Sequence, residues 1–89
     1  MDDMAMNNRE IARTVEKFIN ENFVYADDAR PDIGQSLLRT GIIDSTGALE
    51  LVEFLESTFA IRIAEHEMVT QNLDSIGKMA AFVERKRAA

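Results

Sequence analysis

An all-α domain is the fold class the sequence predicts: a small four-helix bundle with a long first loop and a short third helix. Three observations predict it. Apolar residues return at helical spacing in three separate stretches, helix-starting residues stand ahead of each, and no stretch alternates convincingly as a strand.

The first helix spans about residues 8–22, where Ile11, Val15, Phe18 and Ile19 stand at offsets 0, 4, 7 and 8 on one face. Asn7 is placed to cap it, and Glu10 follows at capping-box spacing. Residues 23–43 form a long connection with Asp27-Asp28, Pro31, Gly34 and Gly41. A connection this long needs anchors in a small domain, and Leu37-Leu38 and Ile42-Ile43 are the expected ones. Its acids lack the D-x-[DN]-x-[DN]-G spacing of a calcium loop.

The second helix starts at Asp44-Ser45 and runs to about Phe59. Ala48, Leu51, Val52, Leu55 and Phe59 share an apolar side. Thr46, Glu50, Glu53 and Ser57, at offsets 0, 4, 7 and 11, form an outer polar stripe. Ile61-Arg62-Ile63 reads as extended or turn, and a short helical turn is expected around Val69–Leu73. The last helix begins at Asp74 or Ser75, read as a capping pair, and reaches about Lys86. Its stripe is Ile76, Met79, Ala80 and Val83, at offsets 0, 3, 4 and 7.

With 89 residues the chain reads as a single domain over 1–89, with a structured core of about 8–86. A chain this short buries only about 60% of its unfolded surface, which disfavours an enzyme that must enclose its substrate. Apolar residues make up 46% of the chain, enough for a packed core and too many for disorder. There is no cysteine, so no disulfide, thiolate nucleophile or cysteine metal site can form. No apolar run has membrane-spanning length, and the first ten residues lack a basic-then-apolar signal pattern. The expectation is a soluble, cytoplasmic protein.

The net charge of −6 argues against a nucleic-acid partner. From Asp44 to Glu67 six acids face one base, Arg62, so most of the excess lies beside Ser45. That region is either a solvated face or a docking surface for basic partners. Arg85-Lys86-Arg87 is a basic helix end that complements the dipole.

Ser45 has three readings. As a helix cap, it or Asp44 satisfies free N–H groups, an effect of about 1 kcal/mol. As a hydrolase nucleophile it needs a base and an orienting acid, yet G-x-S-x-G is only half present and His66 is the sole imidazole. As an attachment point it would place a phosphate ester at a helix N-terminus, where N–H groups and the dipole favour an anion. His66 among glutamates, without a second histidine, is a surface residue and no metal ligand.

Gly41-Ile42-Ile43-Asp44-Ser45, then Leu49-Glu50-Leu51-Val52, Leu55-Glu56, Phe59, Ile61, Ile63 and Asn72-Leu73-Asp74-Ser75-Ile76, form a recognisable series. Over about residues 8–86 the chain resembles the acyl carrier protein family, the phosphopantetheine-binding carriers of fatty acid, polyketide and nonribosomal peptide pathways. The resemblance implies a bundle of acyl-carrier type that is no enzyme itself. It implies 4′-phosphopantetheine on Ser45, with Asp44 as the cap beside it, transferred from coenzyme A by a phosphopantetheinyl transferase that needs Mg²⁺. The arm's thiol would carry an acyl or aminoacyl group as a thioester, so the reactive sulfur is imported. Loading ligases and downstream enzymes would be the other partners. Their basic patches would meet Asp44, Glu50, Glu53 and Glu56, with Thr46 and Met68 as further partner contacts on a monomeric carrier. For Met68 core packing is the first reading and a partner contact the second.

Two positions depart from the family pattern: Thr46 stands where leucine is usual, and Glu53 where an apolar residue, commonly methionine, is found. Both fall on the outer stripe, and they imply a specialised stand-alone bacterial carrier with its own clients. The D-S-T-G start is similar to such carriers, some loaded with amino acids by synthetase-like ligases and others serving dedicated acyl or polyketide pathways. Gly47 is expected to weaken the first helical turn by up to about 1 kcal/mol relative to alanine.

Overall fold

A computed structural model describes residues 7–23 and 31–88. Four α-helices follow in chain order: α1 (Asn8–Asn22), α2 (Ser45–Phe59), α3 (Thr70–Leu73) and α4 (Ile76–Ala88). A 3-10 turn at Glu65–Glu67, absent from the sequence reading, precedes α3. Among the described residues there is no strand. Asp27 and Asp28 lie outside the described residues.

The start of α1 is the predicted capping box. The Glu10 N–H donates to Asn7 Oδ1 at 2.9 Å, and the Asn7 N–H donates to Glu10 Oε1 at 3.1 Å. Two otherwise orphaned donors are thereby satisfied. Ile11, Ala12, Val15 and Ile19 of this helix are buried. Phe18 is half-buried and stacks on Phe54 of α2, with ring centroids 3.9 Å apart and planes 13° from parallel.

The core joins Ile11, Val15 and Ile19 to Leu51, Leu55 and Phe59 of α2 and to Ile76, Met79 and Val83 of α4. Each large apolar side chain withdrawn from water contributes roughly 1.5–3 kcal/mol. Helix α4 is the shared partner, packing against α1, α3 and α2. Cover on several sides widens its buried arc beyond one stripe. Phe82, which falls outside the expected stripe, is therefore buried too.

The basic end of α4 is used internally. Arg87 donates to the Phe59 carbonyl at 2.7 Å, a cation at the C-terminus of α2. Lys86 pairs with Glu67 at 2.9 Å, and Arg85 donates to Asn72 Oδ1 at 3.2 Å. The Ala64 N–H and the Lys86 ammonium together hold the Glu67 carboxyl below its ordinary range.

The loop before α2 is anchored by Leu37 and Ile43, both buried. The Ile43 N–H donates to the Leu37 carbonyl at 3.2 Å, closing the loop on itself. Gly41, at φ +78°, supplies the left-handed turn that lets the chain come back. Leu38 and Ile42 are not the anchors expected: Leu38 is exposed and Ile42 half-buried, because neighbouring side chains in a closed loop cannot all face inward. The Asp74-Ser75 pair needs a similar correction. Ser75 alone caps α4, accepting from the Lys78 N–H at 3.1 Å, while the Asp74 side chain turns to the loop. Among the described residues no helix is long and apolar enough to cross a membrane.

Candidate functional site

Asp44 is the cap of α2. Its backbone is extended, at φ −106° and ψ −171°, and its Oδ1 accepts from the Gly47 N–H at 2.8 Å. Its carbonyl takes the Ala48 N–H at 2.9 Å. Both roles of an N-cap residue are filled before Ser45 is reached. Ser45 is the first helical residue and is exposed, and its hydroxyl has no hydrogen-bond partner among the described residues. The cap reading of Ser45 is thereby corrected: Asp44 occupies the cap position and Ser45 is already the first residue of the helix.

The N–H groups of Ser45 and Thr46 also have no partner among the described residues. A free hydroxyl thus stands beside two free donors at the positive end of a helix dipole, a setting that suits a phosphate ester. Gly47 is buried, with its first-turn position tightly packed. A Cβ added there would lie 3.0 Å from Phe23 Cε1 and 3.2 Å from Ile43 Cγ2. The glycine expected to loosen the turn instead lets Phe23 and Ile43 press against it.

No catalytic pairing is assembled around the serine among the described residues. His66 lies exposed in the 3-10 turn, and no hydrogen bond joins it to Ser45. Among the described residues no three His, Asp or Glu side chains gather as metal ligands.

Thr46, Glu50, Glu53 and Ser57 are all exposed, as their spacing predicts. Glu56 differs. It is half-buried, and its Oε2 accepts from the Ile63 N–H at 2.9 Å, fixing the chain that leaves α2. Leu49, read in the sequence only as part of the family series and not as a contact, is 61% exposed on the same helix. Its signal was available: an apolar residue off the core stripe, next to Glu50.

Met68 is 39% exposed, so its core reading is corrected. It borders a shallow apolar cleft of about 110 Å³ with Leu38, Ile43, Leu51, Val69 and Leu73. Val52 and Leu55 are plain core.

Asp74 also lines that cleft. Ser36 Oγ donates to its Oδ2 at 2.6 Å and the Leu38 N–H to its Oδ1 at 3.0 Å, while its carbonyl takes the Leu37 N–H at 2.7 Å. Burial pushes its carboxyl up, but the Ser36 hydroxyl, the Leu38 N–H, Lys78 and the Leu37 N–H outweigh it and hold the group below its ordinary range. Sequence reasoning missed this role because Ser36 and Asp74 stand 38 residues apart.

The chain is similar to the D-alanyl carrier protein of Lactococcus lactis subsp. lactis (strain IL1403), 34% identical over 61 residues, 68% of this chain and 77% of that protein. It is likewise 34% identical over 68 residues to the D-alanyl carrier protein of Lactococcus lactis subsp. cremoris (strain MG1363), covering 76% and 86%. The D-alanyl carrier protein of Streptococcus pyogenes serotype M1 is 28% identical over 78 residues, 85% of this chain and 99% of that protein. No protein-family model matches the chain. Helical architecture, the Asp44-capped start of α2 and relatives of this identity and coverage agree: the chain belongs to the acyl carrier protein family, the small phosphopantetheine-binding carriers.

Proposed function

We propose that this carrier holds an aminoacyl group, D-alanine first among the candidates, as a thioester on an arm attached at Ser45. The observation that carries the attachment site is the free, exposed Ser45 hydroxyl beside a cap that Asp44 already provides. When bound, 4′-phosphopantetheine supplies the thiol on which a cargo is carried, which this cysteine-free chain lacks.

The residues of the chain do three things. Ser45 Oγ attacks the phosphorus of the pantetheine phosphate in coenzyme A, and the bond to 3′,5′-adenosine bisphosphate breaks. The hydroxyl proton leaves to the transferase, which supplies the Mg²⁺. The free N–H groups of Ser45 and Thr46 would be the donors available to the phosphate of a bound arm, and Asp44 holds the helix start by accepting from the Gly47 N–H.

Glu50 and Glu53, with Asp44 and Thr46, form the face offered to basic patches on the transferase, the loading ligase and later clients. Such contacts set association rate and partner choice and weaken with salt. Glu56 and Met68 are further contacts in this reading, Glu56 with one carboxylate oxygen already in use. The relatives' name, D-alanyl carrier protein, supports D-alanine as the cargo of this reading.

The test is loading in two steps. The protein is treated with coenzyme A, Mg²⁺ and a broad-specificity transferase, then with ATP, D-alanine and a D-alanine:carrier ligase. Intact mass is expected to rise by one phosphopantetheine and then by one alanyl group that hydroxylamine removes. A first increment without the second, joined by efficient loading with a fatty acid, would overturn the aminoacyl cargo.

A further inference from the structure

The loop that delivers the chain to Ser45 is not held by α2 alone. A second fixed point lies at the junction of α3 and α4. Asp74 ends α3, and its own N–H bonds back to the Thr70 carbonyl at 3.1 Å. From there it accepts three hydrogen bonds from consecutive loop residues: Ser36 Oγ, Leu37 N–H and Leu38 N–H. Ser36 Oγ in turn accepts from the Arg39 N–H at 3.1 Å. Leu37 passes the restraint onward, since its carbonyl takes the N–H of Ile43, the residue immediately before the α2 cap.

The Asp74 carbonyl thus starts a backbone path through Leu37 to Ile43, while the Asp74 carboxylate grips the residues on either side of Leu37, Ser36 and Leu38, and it is this side-chain grip that a substitution removes. The buried side chains of Leu37 and Ile43 and the Gly77 N–H, which donates to the Ile33 carbonyl at 2.8 Å, hold the same loop alongside this path. The contact is also more than packing, because a carboxylate that accepts from a hydroxyl and an amide is specific in geometry.

We infer that Asp74 is a positioning residue for the modification of Ser45: it latches the loop to the α3–α4 junction and so keeps the attachment site in the conformation that partner enzymes bind. The assignment rests on Ser45 being the attachment point. Releasing the latch lowers the fraction of molecules in the competent conformation. The apparent affinity of any enzyme that binds this conformation then falls by that same fraction, while turnover after binding is unchanged.

The test compares wild type, Asp74→Ala, Asp74→Asn and Ser75→Ala, each confirmed folded by circular dichroism at the assay temperature. Transferase kinetics give KM for the carrier and kcat, and amide hydrogen exchange is followed at Leu38, Ile43 and Ser45. For Asp74→Ala the expectation is a KM raised about tenfold with kcat within about twofold, the split set by a smaller competent fraction. Exchange at Leu38 and Ile43 should quicken in parallel. Asparagine can still accept from the Leu38 N–H and donate to Ser36 Oγ, so Asp74→Asn should restore much of the KM. Ser75→Ala removes a neighbouring structural bond and should leave KM unchanged. A wild-type KM in Asp74→Ala, or an equal rise in Ser75→Ala, would overturn the latch. If wild type itself takes no phosphopantetheine, the Ser45 assignment fails instead, and exchange at Ile43 still decides the latch: unchanged protection in Asp74→Ala would remove it.

Discussion

Asp44-Ser45 and Asp74-Ser75 are the same dipeptide at the start of a helix, yet they divide their tasks in opposite ways. At α2 the aspartate caps, accepting from Gly47, and the serine stands exposed with its hydroxyl unused. At α4 the serine caps, accepting from Lys78, and is 3% exposed, while the aspartate holds a distant loop. The difference is one residue of register. Helix α2 begins at its serine; α4 begins after its serine. Where the serine lies outside the helix its hydroxyl is structural, and where it lies inside the first turn it is free for chemistry.

The largest stability effect expected from breaking this pattern is at Asp74. Asp74→Ala removes the acceptor of two hydrogen bonds, one from Ser36 and one from Leu38. Bonds to a charged group contribute about 1.5–3 kcal/mol each when well shielded; discounted for partial exposure, a total loss of about 2 kcal/mol is expected in urea unfolding. A midpoint within error of wild type would mean that the loop is held elsewhere. The same group has a signature in pH. Its carboxyl is depressed below its ordinary value of 3.8 in the folded protein, so its contribution is complete above that value and is lost as pH falls through the folded one. Glu67, depressed by the Ala64 N–H and Lys86, acts in the same acid window. Asp74→Asn should flatten the acid limb of stability and leave the Glu67 part.

A smaller loss, about 1.5 kcal/mol, is expected for Ser75→Ala, the upper part of the range for caps because this hydroxyl is buried. Phosphopantetheine incorporation should not change. Reduced incorporation at a temperature where the variant is folded would blur the division between the two serines.

Asp44→Ala comes next, at about 1 kcal/mol, the usual figure for an exposed N-cap. Asp44→Asn should recover most of it, since an amide oxygen can still accept from the Gly47 N–H. No loss in Asp44→Ala would mean that Ser45 takes over as cap, and the contrast between the two sites would collapse.

Much of this was legible in the sequence because it is local. The bounds of α1 and α2, the Asn7–Glu10 capping box and the outward stripe from Thr46 to Ser57 all follow from spacings of three and four. The place of Ser45 was legible as well, but not which member of Asp44-Ser45 would cap. That depends on one residue of register, which local propensity does not fix. Non-local bonds were hidden altogether. Glu56 reads as one more outward acid until the Ile63 N–H claims it, and Asp74 reads as a helix cap until the loop arrives from Ser36. Leu38 and Met68 looked like core by composition. They border the cleft at its rim, where exposure is set by how closely the loop and α3 approach.

The central claim is that the Ser45 hydroxyl serves attachment and has no structural task. The most direct measurement is intact mass of wild type and Ser45→Ala after coenzyme A, Mg²⁺ and transferase, on samples shown by urea unfolding to match in stability. The account predicts one phosphopantetheine on wild type and none on the variant, with stabilities equal within about 0.5 kcal/mol, as for a surface change away from caps and core. A variant that still gains the mass, or one that loses 1 kcal/mol or more in the manner of a removed cap, would contradict it.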